Sequence, residues 1–345
     1  MPEEERARPE ILSIVPPIGL PGGEVALSCT GLDPLELTDE SLFLCGDYAK
    51  IEGASSQKLL ARIPRSAYSG DIHITQYGMS SDPYRFIVPQ CIAYALHSIT
   101  SPALTPDNEI LAPFCGIEGQ FTPVSVFLIT EHGDKYSLVC GLRNIGALAA
   151  DIRGRIYAAS LSAGVVYVIE RDGSARVFAE GFDNPCGLAA ARDGTLYLSE
   201  KNGSLYFLDS NGRAEACANV EQSDICVHLA LDPEGMLYAS STQQMGDNTL
   251  YAIEHGDARV VIRELAEFHG IAFDRSGTLF MAVTEHGVGG IDIVHRRTAK
   301  RQRIVSGQDI VGLAFNKHND MYIATMSKIY TVNNRHLMMA WNALI

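Results

Sequence analysis

The chain lacks any long apolar run. Nowhere in its 345 residues do about 18 apolar side chains follow one another, so no spanning helix is expected. Its first residues, MPEEERARPE, carry charge where a secretory leader has an apolar core. The chain as given therefore reads as cytoplasmic, or as extracytoplasmic if a leader has been removed. Basic charge is also short. The 27 Lys and Arg face 41 Asp and Glu, a formal net charge of −14, which argues against nucleic acid or an anionic membrane as partner. The one basic cluster, HRRTAKRQR at 295–303, reads as a solvated hairpin turn.

Missing motifs exclude more. The eight cysteines (29, 45, 91, 115, 140, 186, 217 and 226) include no CxxC pair, so redox motifs and thiolate metal spacing are absent. Most stand in apolar strand patterns such as LFLCGD and YSLVCG, where a thiol behaves as a small buried hydrophobe. No HExxH, GxSxG or GxxxxGKS/T occurs, which leaves zincin, α/β-hydrolase and P-loop chemistry without support. Nothing in the chain indicates an oligomeric state.

What is present is β structure. Residues 9–88 hold about seven short runs of period two, among them PEILSIV, EVALSC, SLFLCG, KLLARIP and GDIHITQYG, broken by Pro and Gly. That rhythm is an antiparallel sandwich of immunoglobulin size. The first eight residues read as a disordered lead-in. Here PEILSIVPPIGLPGGEVAL, LFLCGDYAKI, LLARIPRSAYSGDIHI and DPYRFIV resemble the IPT/TIG family of immunoglobulin-like modules. Some members of that family bind DNA through basic loops. This copy has none, so a packing or spacer module is implied.

Beyond residue 88 one phrase recurs: ALAADIRGRIYAAS, GLAAARDGTLYLSE, HLALDPEGMLYASS, GIAFDRSGTLFMAV and GLAFNKHNDMYIAT. The anchors Leu148, Leu188, Leu229, Ile271 and Leu313 stand 40 to 42 residues apart, and a degenerate copy at Pro102 makes six. Each copy reads as strand, turn, strand, usually followed by a third and a weaker fourth strand. Four strands per repeat, six times over, predict a six-bladed β-propeller across 89–345. The expected fold class is thus all-β: an N-terminal immunoglobulin-like sandwich followed by a six-bladed propeller. The last unit lacks an obvious fourth strand, which either 91–97 or 336–344 would supply. The repeats resemble six-bladed propellers of the gluconolactonase, senescence-marker and NHL-repeat superfamily, and also virginiamycin B lyase-type propellers. Their joining to an IPT/TIG module resembles a bacterial group with that same arrangement.

The resemblance places ligands at one mouth of the central channel, near Ser101, Gly146, Cys186, Val227, His269 and Val311. It also implies a carboxylate and asparagines there, holding a divalent cation such as calcium or zinc that polarises a lactone carbonyl. The sequence departs from that pattern: SITSPALT offers no glutamate, and Cys186, His269 and Val311 stand where asparagine or aspartate is expected. Two sets of expectations follow. One is a scaffold that binds a small molecule or a protein at the mouth, with Cys186, Glu200, Glu267 and Glu285 as ligand-binding candidates. The alternative is a metal-dependent lactonase-type hydrolase or lyase, with His228 and His269 as catalytic candidates. His286 reads as an exposed turn residue, and 114–125 as a long loop able to cover the mouth.

Overall fold

The computed structural model describes residues 7–96, 100–114, 124–223, 226–243, 247–264 and 266–342. The expected loop over the mouth lies mostly outside the described residues. So do residues 1–6 of the expected disordered lead-in, whereas Arg8 pairs with Asp82 at 2.6 Å. The architecture is nearly all β. No helix among the described residues is long and apolar enough to cross a membrane.

Two antiparallel sheets come first. One orders Glu10–Val15, Glu24–Thr30, Lys58–Arg62 and Lys50–Ala54. The other orders Tyr84–Phe86, Gly70–Gln76, Leu42–Leu44 and Asp47–Tyr48, with Met79–Ser80 paired to Gly70–Gln76. Alternate residues of Glu24–Thr30 and Gly70–Gln76 are buried, because a strand turns successive side chains to opposite faces. Val25, Leu27, Leu42, Leu59, Ile72, Ile74 and Phe86 share one core between the sheets.

Among the described residues six further sheets follow, each built on an antiparallel meander of consecutive strands. Sheet one is Ala103–Leu104, Ile110–Pro113, Val126–Ile129 and Lys135–Val139; sheet two is Ile145–Ala150, Ile156–Ser160, Val165–Ile169 and Ala175–Glu180. Sheet three is Pro185–Ala190, Leu196–Glu200, Ser204–Leu208 and Ala214–Asn219; sheet four is His228–Leu231, Leu237–Ser241, Asn248–Glu254 and Asp257–Glu264. Sheet five is Glu267–Phe273, Leu279–Glu285, Val288–His295 and Lys300–Ser306. Sheet six takes Ile310–Phe315, Met321–Thr325 and Ile329–Val332 from the end of the chain and Gln90–Ala93 from far upstream. The first strands of consecutive sheets touch, and that of sheet six touches that of sheet one. The ring is therefore closed around a shared channel, as in a β-propeller.

Two devices in the repeated phrase explain the hairpins and the ring. The first is the turn between first and second strands. Asp151 Oδ1 accepts the N–H groups of Arg153 (2.9 Å) and Arg155 (3.0 Å), and Gly154, three residues after Asp151, has φ +78°. Asp232, Asp274 and Asn316 repeat the arrangement. Where Gly is replaced at that corner, Asn takes it, Asn108 at φ 66° and Asn319 at φ 64°, the two residue types that tolerate left-handed backbone most readily. The second device is the glycine that opens the phrase. A Cβ on Gly187 would run into the Val227 carbonyl, and one on Gly270 would approach the Gly312 backbone at 3.1 Å. Consecutive first strands converge here, and only a hydrogen fits.

The sandwich and the ring are joined twice. Ile18–Gly19 adds in parallel to Lys300–Ser306 at the outer edge of sheet five, and Ile18, Leu20 and Ile87 share a core with Phe280, Ile291 and Val305. Gln90–Ala93, directly after the sandwich, supplies the missing fourth strand of sheet six. Of the two alternatives for that strand, the upstream one is realised, over 90–93, and the C-terminal one is replaced by the helix Asn334–Asn342.

Two expectations need correcting. The basic cluster does form a hairpin, but its arginines are not merely solvated. Arg296 pairs with the buried Asp232 at 3.0 Å, and Arg301 and Arg303 both pair with Asp292, which is also buried. The acidic excess of the chain is thus partly neutralised where it enters the interior. Among the cysteines, Cys91 and Cys140 are exposed, since the first lies on an outer strand and the second just past one.

Candidate ligand site at the channel mouth

The first strands of the six sheets line a channel cavity of about 270 Å³. Several are rich in small residues, as in IGALAA and PCGLAA, because six strands meeting around one axis leave little room for side chains. At the end where these strands begin, Ser101, Gly146, Cys186 and His228 face the cavity. Of the expected mouth positions, Val227 is buried in the core between sheets three and four, and His228 takes its place on the wall.

His228 is half-buried, and its pKa falls from 6.5 to about 4, first because burial disfavours the cation and then because His269 stands nearby. His269 shares a hydrogen bond with Thr284 Oγ1 at 2.9 Å and has Glu267 Oε2 at 3.8 Å from its Nε2. Burial lowers its pKa as well, with Glu267 pulling the other way. Both imidazoles are neutral near pH 7. Each can donate or accept a hydrogen bond or take a proton, but neither is a ready acid. Thr284, the residue that fixes the His269 ring, had no mark in the sequence beyond its place one residue before Glu285.

The carboxylates do not converge with them. Glu200 is 4% exposed and turned into its own loop, where its carboxylate accepts Asp183 N–H at 2.6 Å, Asn202 Nδ2–H at 3.0 Å and Tyr206 Oη–H at 3.3 Å. Glu285 pairs with Arg301 at 3.3 Å, in the same network as Asp292 and Glu264. Glu267 alone stays beside a histidine, and it is half exposed. Among the described residues no group of three or more His, Cys, Asp or Glu side chains is placed to hold a metal ion. The donor set therefore does not fit the calcium or zinc that the resemblance implies.

Cys186 is buried against the wall. Val227 N–H donates to its sulfur at 3.3 Å, and Cys226 Sγ lies 2.7 Å from its carbonyl oxygen. Cys226 carries no motif that would mark it in the sequence as the neighbour of Cys186. It stands about one repeat after Cys186, a spacing that places both at the starts of adjacent first strands.

A larger cleft, about 790 Å³, lies between sandwich and ring and is lined by Tyr68, Cys91, His132, Lys328 and His336 among others. The channel remains the better candidate because the repeats converge on it, whereas the cleft follows from how two parts happen to meet.

No protein-family model matches the chain, and no curated protein matches it in sequence. Solved structures do. An auxiliary nutrient binding protein from Bacteroides thetaiotaomicron aligns over 95% of this chain and 98% of its own, at 12% identity and a TM-score of 0.54. A gluconolactonase from Xanthomonas campestris aligns over 70% of this chain and 88% of its own, at 16% identity and a TM-score of 0.58. A virginiamycin B lyase from Staphylococcus aureus aligns over 70% and 83%, at 12% identity and a TM-score of 0.51. At such identities the likeness is one of fold, and the fold is a propeller.

Proposed function

We propose that residues 89–345 form a six-bladed propeller, that residues 9–88 are an immunoglobulin-like module of the IPT/TIG kind attached to it, and that the channel mouth binds an uncharged polar small molecule. The observation that carries the binding reading is the wall itself. Ser101 and His228 offer a hydroxyl and a neutral imidazole on a wall of Gly, Ala and Leu, with Cys186 buried just behind it. Such a surface orients a sugar-like or lactone-like ligand by hydrogen bonds without a charge to match. The fold likeness to a nutrient-binding protein along nearly the whole chain favours the same reading.

A second reading keeps chemistry at this mouth. It rests on His228 and His269 standing together, both unprotonated, with Thr284 fixing one ring. A neutral imidazole is a general base for hydrolysis or elimination. That reading uses no metal, because Glu200 and Glu285 are committed elsewhere and Glu267 alone stands beside a histidine.

Titration of the protein with glucono-δ-lactone and a panel of neutral monosaccharides, by calorimetry and with and without EDTA, separates these readings. Binding that EDTA leaves unchanged, and that His228→Gln weakens about tenfold (~1.4 kcal/mol), supports the binding site. Turnover of the lactone that His269→Ala abolishes supports the second reading. Absence of saturable binding at millimolar concentration for every ligand in the panel overturns the first.

A further inference from the structure

Two thiols meet at the channel wall, on neighbouring sheets. Cys186 opens the first strand of sheet three, and Cys226 immediately precedes the first strand of sheet four. Cys226 Sγ lies 2.7 Å from the Cys186 carbonyl oxygen, while the Cys186 sulfur accepts the N–H of Val227, the residue bonded to Cys226. Each thiol therefore sits against the other's backbone. Cys186 borders the cavity at 1% exposure, so a small solute in the channel comes up against the pair with little protein between. Both side chains are 8% exposed or less, in contrast to Cys91 and Cys140 on the outside of the ring.

We propose that Cys186 and Cys226 are a peroxide-sensitive pair, oxidised by a hydroperoxide that enters the channel and closed into a disulfide joining sheets three and four. Hydrogen bonding from the Cys226 thiol, then from Val227 N–H, holds Cys186 below the ordinary thiol range against the opposing effect of burial. Its place on the cavity wall, which Cys226 does not share, and the N–H that Val227 donates to its sulfur make Cys186 the attacking thiolate. Its sulfur bonds to one peroxide oxygen, the O–O bond breaks, and the departing hydroxide (or alkoxide) takes up a proton. The product is a Cys186 sulfenic acid. The Cys226 thiol then attacks that sulfur, the S–O bond breaks, and water leaves with the thiol proton. The two thiols give up two electrons in all and the peroxide accepts them. The bond replaces a thiol on the ligand-facing wall and adds a covalent clamp to two sheets otherwise held by hydrogen bonds such as Ser199 Oγ to the Val227 carbonyl, so oxidation alters the mouth without unfolding the ring.

The test uses the full chain carrying Cys91→Ser and Cys140→Ser, which removes the thiols that are exposed among the described residues. After treatment with hydrogen peroxide, the protein is unfolded, alkylated, digested and mapped by mass spectrometry. The expected result is loss of two alkylatable thiols, a 186–226 linked peptide lighter by about 2 Da than the two reduced ones, and recovery by dithiothreitol. With Cys226→Ser added, the expected product is a dimedone adduct at Cys186 instead. The proposal is overturned if both thiols remain fully alkylatable, or if either forms its disulfide with another cysteine. A melting curve for each variant confirms that it is folded, and Cys226→Ala serves in its place if the serine is not tolerated.

Discussion

The channel's two ends are made by the same hairpins, yet their polar groups do different work. At the turn end a cavity of about 610 Å³ is ringed by Arg192, Asp193, Asp232, Glu234, Asp274 and Arg275. Its charges look like a binding site, but the aspartates are occupied. Asp193 accepts Thr195 N–H, Asp232 accepts two backbone N–H groups and Arg296, and Asp274 accepts Ser276 and Thr278 N–H. At the opposite end Cys186 and His228 hold no turn together. Charge at the first end is a consequence of bending the chain, and the quiet end is the one left free to meet a ligand. Electrostatic prominence and availability are separate properties.

The comparison is most easily broken at Asp232. Its replacement by Ala leaves two backbone donors and Arg296 without their acceptor, and a loss of roughly 3 to 4 kcal/mol is expected by urea denaturation. A loss under about 0.5 kcal/mol, ordinary for a surface position, would mean the turn-end carboxylates are not structural.

The quiet end makes its own prediction in acid. His228 titrates at 6.5 ordinarily and at about 4 when folded, so between those values the unfolded chain binds more protons. Stability from this group is complete above pH 6.5 and falls as the pH drops towards 4, by roughly 3 kcal/mol. His269, shifted in the same direction, adds to the slope. Denaturation curves at pH 7 and pH 4 should show a smaller acid loss in His228→Gln than in the parent, and equal losses would contradict the burial of that imidazole.

A third test concerns how closely the walls approach. Gly187→Ala puts a methyl group against the Val227 carbonyl, with an expected cost of about 1–3 kcal/mol, read as a lowered melting temperature. Gly194→Ala costs through backbone conformation alone, since Gly194 has φ +96° and open space around it; a cost of about 1 kcal/mol is expected. The smallest effect belongs to His228→Gln at neutral pH. It should leave stability within about 1 kcal/mol while weakening the ligand, the split expected of a group placed for binding. Loss of stability without loss of affinity would reverse the assignment of the two ends.

Much of this was legible in the sequence, because the fold rests on local rules repeated several times. The Asp-x-x-Gly corner and the leading Gly of GLAAA or GIAF mark the hairpin and the convergence point with no partner needed. Gln90–Ala93 was narrowed to one of two segments, and only pairing with Ile329–Val332 decided between them. The site was harder to read. Glu200 and Glu285 end second strands as expected, but whether such a side chain faces the channel depends on what else offers it a partner. Asp183 N–H captures one, and Arg301 the other. Those partners lie 16 or 17 residues away across a hairpin and leave no local trace. Arg301 itself stood in a stretch that looked like simple surface charge.

The parallel pairing of Ile18–Gly19 with Lys300–Ser306 has a practical consequence. A fragment cut before residue 89 would not be a propeller minus an accessory. It would keep the strand that closes sheet six, yet strip Ile18–Gly19 from sheet five and bare the backbone of Val305 and Ser306. Such a margin is a template for strands of other molecules, so the trimmed ring is expected to aggregate more readily than the whole chain.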